Sequence, residues 1–215
     1  MRFQDRADAG RQLAEQLRSL DLHDAIVLAL PRGGVPVGFE VATALRAPLE
    51  VFVARKVGAP GHPEYGIGAI AEGDGVVANR DALRTLRVSE NQWERLVAAE
   101  QRELARRVEH YRGDRTIPDL REHDVVLVDD GLATGVTAEA SLRALRALQP
   151  RRLVLAAPAC APETVDRLSA LADDVVCVIA PDHFQAVGQW YERFNQTSDD
   201  EVLALLDKAA LMERR

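Results

Sequence analysis

The chain has 215 residues, of which 47% are hydrophobic and 28% charged, and its formal net charge is −7. That length can bury one continuous core, and the composition is that of a globular protein rather than a disordered one. The acidic balance argues against a general nucleic-acid binder, and no stretch approaches the roughly 18 consecutive apolar residues of a membrane span.

At the N-terminus Asp5, Arg6 and Asp8 leave no room for an apolar leader, so no signal peptide is expected and a cytoplasmic location follows. Asp5 is placed to cap a first helix running to about Leu20, with Leu13 and Leu17 on one face. Residues 25–30 then read as a buried strand, stopped by Pro31-Arg32-Gly33-Gly34. A helix from about Pro36 to Leu45 leads to a second strand, Leu49 to Ala54, and then to Arg55 and Lys56. Lys56 is conspicuous because it and Lys208 are the only lysines in the chain.

Residues 58–75 are rich in Gly and Pro and read as a flexible hairpin lid standing off the sheet. Within them Gly66-Ile67-Gly68-Ala69-Ile70-Ala71 spells the dinucleotide fingerprint. It follows Pro60, Gly61 and Pro63 rather than a strand end and runs into Gly73 and Gly75 rather than a helix, so it is set aside. Ser89 and Gln92 form a capping box for a long helix to about Tyr111, on which Trp93 is assigned to the core or an oligomer contact. Three more strand-and-helix units begin at Val125, Arg152 and Val175, and a terminal helix covers Asp199 to Met212. Cys160 and Cys177 match neither a metal motif nor a disulfide framework, and are expected as buried thiols in a reducing compartment.

Strands alternating with helices predict an α/β domain with a parallel sheet flanked by helices. Such sheets bind ligands at the carboxyl ends of their strands. That rule gathers residues 31–34, Arg55-Lys56, Asp129-Asp130 and the segment after Ala180 on one rim. The most informative of these is the run from Val125 to Thr137. Four apolar residues end in Asp129-Asp130, and Gly131-Leu132-Ala133-Thr134-Gly135-Val136-Thr137 leads into a helix. The loop can aim N–H groups and the Thr134 and Thr137 hydroxyls at a phosphate, assisted by the helix dipole. Asp129 and Asp130, as acceptors, suit ribose hydroxyls. No lysine follows Gly135, which excludes a P-loop, and no G-x-S-x-G occurs for an α/β-hydrolase.

This run resembles the 5-phosphoribosyl-1-pyrophosphate (PRPP) signature of type I phosphoribosyltransferases. The Pro31-Arg32-Gly33-Gly34 turn and the Gly58-Ala59-Pro60-Gly61-His62-Pro63-Glu64 lid are similar to a bacterial group in that family with no assigned acceptor. The resemblance covers about Ala25 to Gly188. It implies one domain over 1–215, with a core of about 25–180, the lid at 58–75, and a small hood with the C-terminal helix at 181–212. It further implies transfer of the phosphoribosyl group from PRPP to a nucleobase or similar nitrogen acceptor, with Mg²⁺ carried by PRPP and no direct protein ligand. Asp129, Asp130, Arg32 and Lys56 would be catalytic. Residues Ala133, Thr134, Gly135, Val136 and Thr137 would hold the 5-phosphate. Arg32, Gly33, Gly34, Arg55 and Lys56 would hold pyrophosphate, beside a cis Pro31–Arg32 peptide. Phe184, Trp190 and Tyr191 would contact the acceptor, although aromatic clusters also serve to pin a tail to the core. The lid lacks the lysine that some members place there, leaving His62 and Glu64 as candidates. A homodimer is implied. Two other readings stay open: a PRPP- or nucleotide-sensing regulator without catalysis, and a phosphorylated-sugar hydrolase or phosphorylase.

Overall fold

Every inner strand of the central sheet is a short β-branched or aliphatic run, and the sheet is wholly parallel. The computed structural model describes residues 2–73, 75–113 and 115–213, without the Glu64 side chain. Strands β1 (Ile26–Ala29), β2 (Leu49–Val51), β6 (Asp124–Val128), β7 (Arg152–Ala159) and β8 (Asp174–Ile179) lie in the order β2-β1-β6-β7-β8. Alternation along each strand divides the core in two. Val27, Ala29, Val126 and Val128 face helices α1 (Arg6–Leu17), α2 (Gly34–Leu45) and α7 (Asp199–Glu213). Ile26, Leu28, Val125 and Leu127 face α5 (Val136–Ala147) and α6 (Pro162–Leu168). Asp5 caps α1 as expected, its Oδ1 accepting from the Asp8 N–H at 2.9 Å.

The second strand departs from expectation. It ends at Val51, and Ala54 already belongs to another sheet. Phe52 still donates its N–H to Ala29, at 3.0 Å, but the Val53 N–H turns to the Glu72 carboxylate at 2.6 Å. There the chain leaves the parallel sheet.

The described residues of 58–75 include the expected hairpin, with Ala59 opposite His62 at its turn, and it is packed rather than free-standing. The hairpin is part of a three-stranded antiparallel sheet of β3 (Ala54–Ala59), β4 (His62–Ala71) and β5 (Gly75–Ala78). One face packs on α4 (Glu90–Arg112), where Val57, Ile67 and Ile70 meet Trp93, Leu96 and Val97. The second glycine of the rejected fingerprint is explained here. A Cβ on Gly68 would lie 2.4 Å from the Trp93 ring, so the glycine admits the indole. Both capping-box bonds of α4 are present. A short helix α3 (Arg80–Thr85) precedes it, outside the sequence expectation.

The root of this second sheet is fixed by a buried ion pair. Arg112 donates to both Glu72 oxygens, at 2.7 and 2.9 Å, and to the Val51 carbonyl at 2.7 Å. The cysteine expectation is overturned: Cys160 and Cys177 form a disulfide, with Cα atoms 6.2 Å apart. Strands β7 and β8 are neighbours with Ala159 opposite Ile179, so the end of β7 passes beside Cys177. Among the described residues no helix is long and apolar enough to cross a membrane.

Candidate active site

The carboxyl ends of β1 and β6 converge because these strands are adjacent, with Leu30 donating its N–H to the Val128 carbonyl at 2.8 Å. The Pro31–Arg32 peptide is cis. The next two glycines are required by proximity, not by backbone angle. Gly33 has φ −60° and ψ −33°, open to any residue, yet a Cβ there would lie 2.0 Å from Asp130 Oδ2. A Cβ on Gly34 would lie 2.7 Å from the Val128 carbonyl oxygen. The turn after β1 is therefore pressed directly on the acidic pair. Gly34 gives its own N–H to Leu30, at 3.0 Å, so the amide of this residue, one of those the resemblance assigns to pyrophosphate, is already paired.

Asp129 and Asp130 are both half-buried. Burial, reinforced by the Asp130 charge, pushes the Asp129 carboxyl well above the ordinary carboxylate range. The Asp130 N–H and the charges of Lys56 and Arg6 act against that rise. Burial also raises Asp130, opposed by Arg6. The cause of the opposition is geometric: Arg6 Nε donates to Asp130 Oδ2 at 2.8 Å.

After the acidic pair, Leu132 is tied to β7 through the Ala159 carbonyl and the Ala161 N–H, both at 2.8 Å. Residues 133–137 then form the loop and the first residues of α5. Gly135 adopts φ +61°, the left-handed region that favours glycine, and a Cβ there would meet Thr164 Cγ2 at 2.5 Å. The loop is held from outside, since Thr164 donates its hydroxyl to the Ala133 carbonyl and Arg167 donates to the Thr134 carbonyl. Among the described residues no protein acceptor takes the N–H groups of 133–137. Carbonyls fixed by protein donors and amides left without acceptors describe an anion cradle at a helix N-terminus.

Lys56 and Arg55 part company. They are consecutive on β3, so their side chains leave opposite faces of that sheet. Lys56 is exposed and acts electrostatically on Asp129. Arg55 donates to Glu100 of α4 at 2.6 Å and lies 3.9 Å from Glu103. The structure thus draws Arg55 to α4 and does not bring it to the acidic pair. Arg32 stays partly exposed, 4.0 Å from Asp199. At the lid tip His62 is exposed, while the Glu64 side chain lies outside the described residues.

The aromatic segment divides too. Tyr191 is buried against Phe3, ring centroids 5.5 Å apart, and its hydroxyl donates to the Asp130 carbonyl at 2.6 Å. Its place is packing and support beneath the acidic pair, the alternative that aromatic clustering left open. Burial drives its phenol upward, and the neighbouring Asp130 charge adds to that. Phe184 and Trp190 are half-buried, with ring centroids 6.0 Å apart. Sequence reasoning missed Arg6, Thr164 and Arg167. Each acts on residues more than twenty positions away, and no local pattern marks it. A cleft of about 1070 Å³ at the opposite end of the sheet, near Arg46, Glu50 and Arg115, is remote from all this chemistry.

Residues 2–195 match a family model described as a phosphoribosyl transferase domain. Two Mycobacterium tuberculosis proteins, of strains CDC 1551 and H37Rv, bear the name "putative phosphoribosyl transferase". Each is 48% identical over 208 residues, 96% of this chain and 47% of theirs. The chain therefore spans about half the length of these relatives. The crystal structure of TT1426 from Thermus thermophilus is similar with a TM-score of 0.81 and 45% identity, covering 97% of this chain and 99% of that one. The AQ2163 protein of Aquifex aeolicus shares the fold alone, with a TM-score of 0.53 and 14% identity over 85% of this chain and 78% of its own.

Proposed function

The chain belongs to the phosphoribosyl transferase family, and from that premise we propose that it moves the 5-phosphoribosyl group of PRPP to a nitrogen acceptor, a nucleobase or similar ring, releasing pyrophosphate. The observation that carries this reading is one juxtaposition. The carboxylate pair, the Gly33 turn pressed on it and the unpaired amides of 133–137 meet at the ends of adjacent strands.

Each part suits one portion of the donor. The 133–137 amides and the Thr134 and Thr137 hydroxyls take the 5-phosphate, a remote anchor that positions the ribose. Asp129 and Asp130 accept from the ribose hydroxyls, and their charge offsets the positive character that develops at C1′. As the acceptor nitrogen bonds to C1′, the C1′–oxygen bond breaks and its electron pair leaves with pyrophosphate. Arg32, the Gly33 amide and Lys56 face that leaving group, and Phe184 with Trp190 forms the wall for the acceptor ring. Among the described residues no cluster of three or more His, Cys, Asp or Glu could hold a metal. Two carboxylates without a third ligand fit a Mg²⁺ ion that arrives on diphosphate oxygens. When bound, it would neutralise charge on the leaving group. A homodimer is part of the same proposal, checked by sedimentation of the intact chain.

The test is pyrophosphate release from PRPP and Mg²⁺ against a panel of nucleobases. Acceptor-dependent release, lost in Asp129→Asn/Asp130→Asn, is expected. Binding without release would favour a sensor, and release without an acceptor a hydrolase.

A further inference from the structure

Arg6 opens α1, 124 residues from its partner in the acidic pair. Its guanidinium is held on three sides and its side chain is 12% exposed. Nε donates to Asp130 Oδ2 at 2.8 Å, Nη1 donates to the Asn195 carbonyl at 2.7 Å, and the group lies 4.0 Å from the Phe194 ring centre. Phe194 in turn lies 5.0 Å from the Tyr191 ring, whose hydroxyl holds the Asp130 carbonyl. Side chain and backbone of Asp130 are thereby clamped by one connected unit.

The clamp leaves the two carboxylates in complementary states. Asp130 Oδ2 is taken by Arg6 and lies against Gly33, and Asp129 Oδ1 accepts the Asp130 N–H at 2.8 Å. Among the described residues Asp130 Oδ1 and Asp129 Oδ2 have no protein donor. One acceptor oxygen per residue is left over, and a vicinal diol carries two donors. A carboxylate on a short stem rotates broadly about its last torsion, so a fixed free oxygen needs a fixed partner on the other.

We propose that Arg6 is a positioning residue: by taking Asp130 Oδ2 it presents Oδ1, and so sets the geometry in which the acidic pair recognises the ribose diol. The inference rests on the ribose assignment made above for Asp129 and Asp130. It adds that selectivity for the sugar is set from the N-terminal helix, through a fork-shaped donor that lysine cannot reproduce.

The experiment is isothermal titration of the intact chain with PRPP and Mg²⁺, and with magnesium pyrophosphate as the probe lacking ribose. The variants are Arg6→Ala, Arg6→Lys, Asp130→Asn and Arg6→Ala/Asp130→Asn, each checked for folding by thermal melt. Arg6→Ala is expected to weaken PRPP about tenfold, the scale of one charged hydrogen bond, and to leave pyrophosphate unchanged. In the Asp130→Asn background it should add no further loss, and Arg6→Lys should restore part of the affinity. An equal loss in both backgrounds would make Arg6 a fastener of the 190–195 segment and overturn the proposal, as would Arg6→Ala binding PRPP like the wild type. Should Arg6→Ala not fold, Arg6→Lys in the two backgrounds decides in the same way. PRPP binding unaffected by Asp130→Asn would instead remove the ribose assignment, and this inference with it. Loss on Asp130→Asn alone leaves that assignment standing and rejects only the role of Arg6.

Discussion

Gly33→Ala changes the site through a single carbon atom. The backbone there is right-handed helical, so alanine meets no conformational penalty and by itself would gain about 0.5–1 kcal/mol over glycine. The added Cβ, however, would sit 2.0 Å from Asp130 Oδ2 and 2.6 Å from its Cγ, far inside contact distance. The Asp130 carboxylate must then move, and its 2.8 Å bond from Arg6 is broken. A hydrogen bond to a charged group contributes about 1.5–3 kcal/mol. Set against the backbone gain, the net loss is about 0.5–2.5 kcal/mol, or about 1–10 °C in Tm for a domain of this size. Binding should suffer more than folding, because the displaced oxygen is the one whose fixing presents the other to ligand. PRPP affinity is expected to fall at least about tenfold. Thermal unfolding by circular dichroism and isothermal titration measure both quantities on one preparation. An unchanged or raised Tm together with unchanged PRPP affinity would refute the contact between Gly33 and the acidic pair.

Arg112→Met strands the Glu72 carboxylate, whose side chain is only 9% exposed. A loss of about 3–5 kcal/mol in urea unfolding is expected, recovered in part by adding Glu72→Gln, which removes the stranded charge and keeps an acceptor for the Val53 N–H; a loss below about 1 kcal/mol would contradict it. Asp129→Asn should raise Tm at neutral pH. Burial lifts the wild-type carboxyl above its ordinary value of 3.8, so its contribution to stability is fully present below that value and is lost as pH rises through the lifted one. The gap between variant and wild type should therefore close on acidification below about pH 4, and a gap that widened there would reverse the argument.

The parallel sheet was legible because its inner strands are buried on both faces and so read as nearly unbroken apolar runs. The acidic pair and its loop were legible because they follow such a run directly, with Gly135 marking the turn. The same physics hid the end of β2. Leu49 to Ala54 is apolar throughout but for Glu50, and only the turn of the Val53 N–H toward Glu72 shows where the sheet ends. Arg55 and Lys56 looked equivalent in sequence, and alternation along β3 sends them to different partners. The disulfide and Arg6 depend on register and on contacts between distant segments, with partners 17 and 124 positions apart. No short-range pattern carries that information.

Titration of the intact chain with PRPP, with and without Mg²⁺ and repeated on Asp129→Asn/Asp130→Asn, asks whether the acidic pair holds the donor. Micromolar, Mg²⁺-dependent binding that the double variant loses while keeping its fold is expected. Absence of binding, or binding indifferent to both carboxylates, would contradict that role.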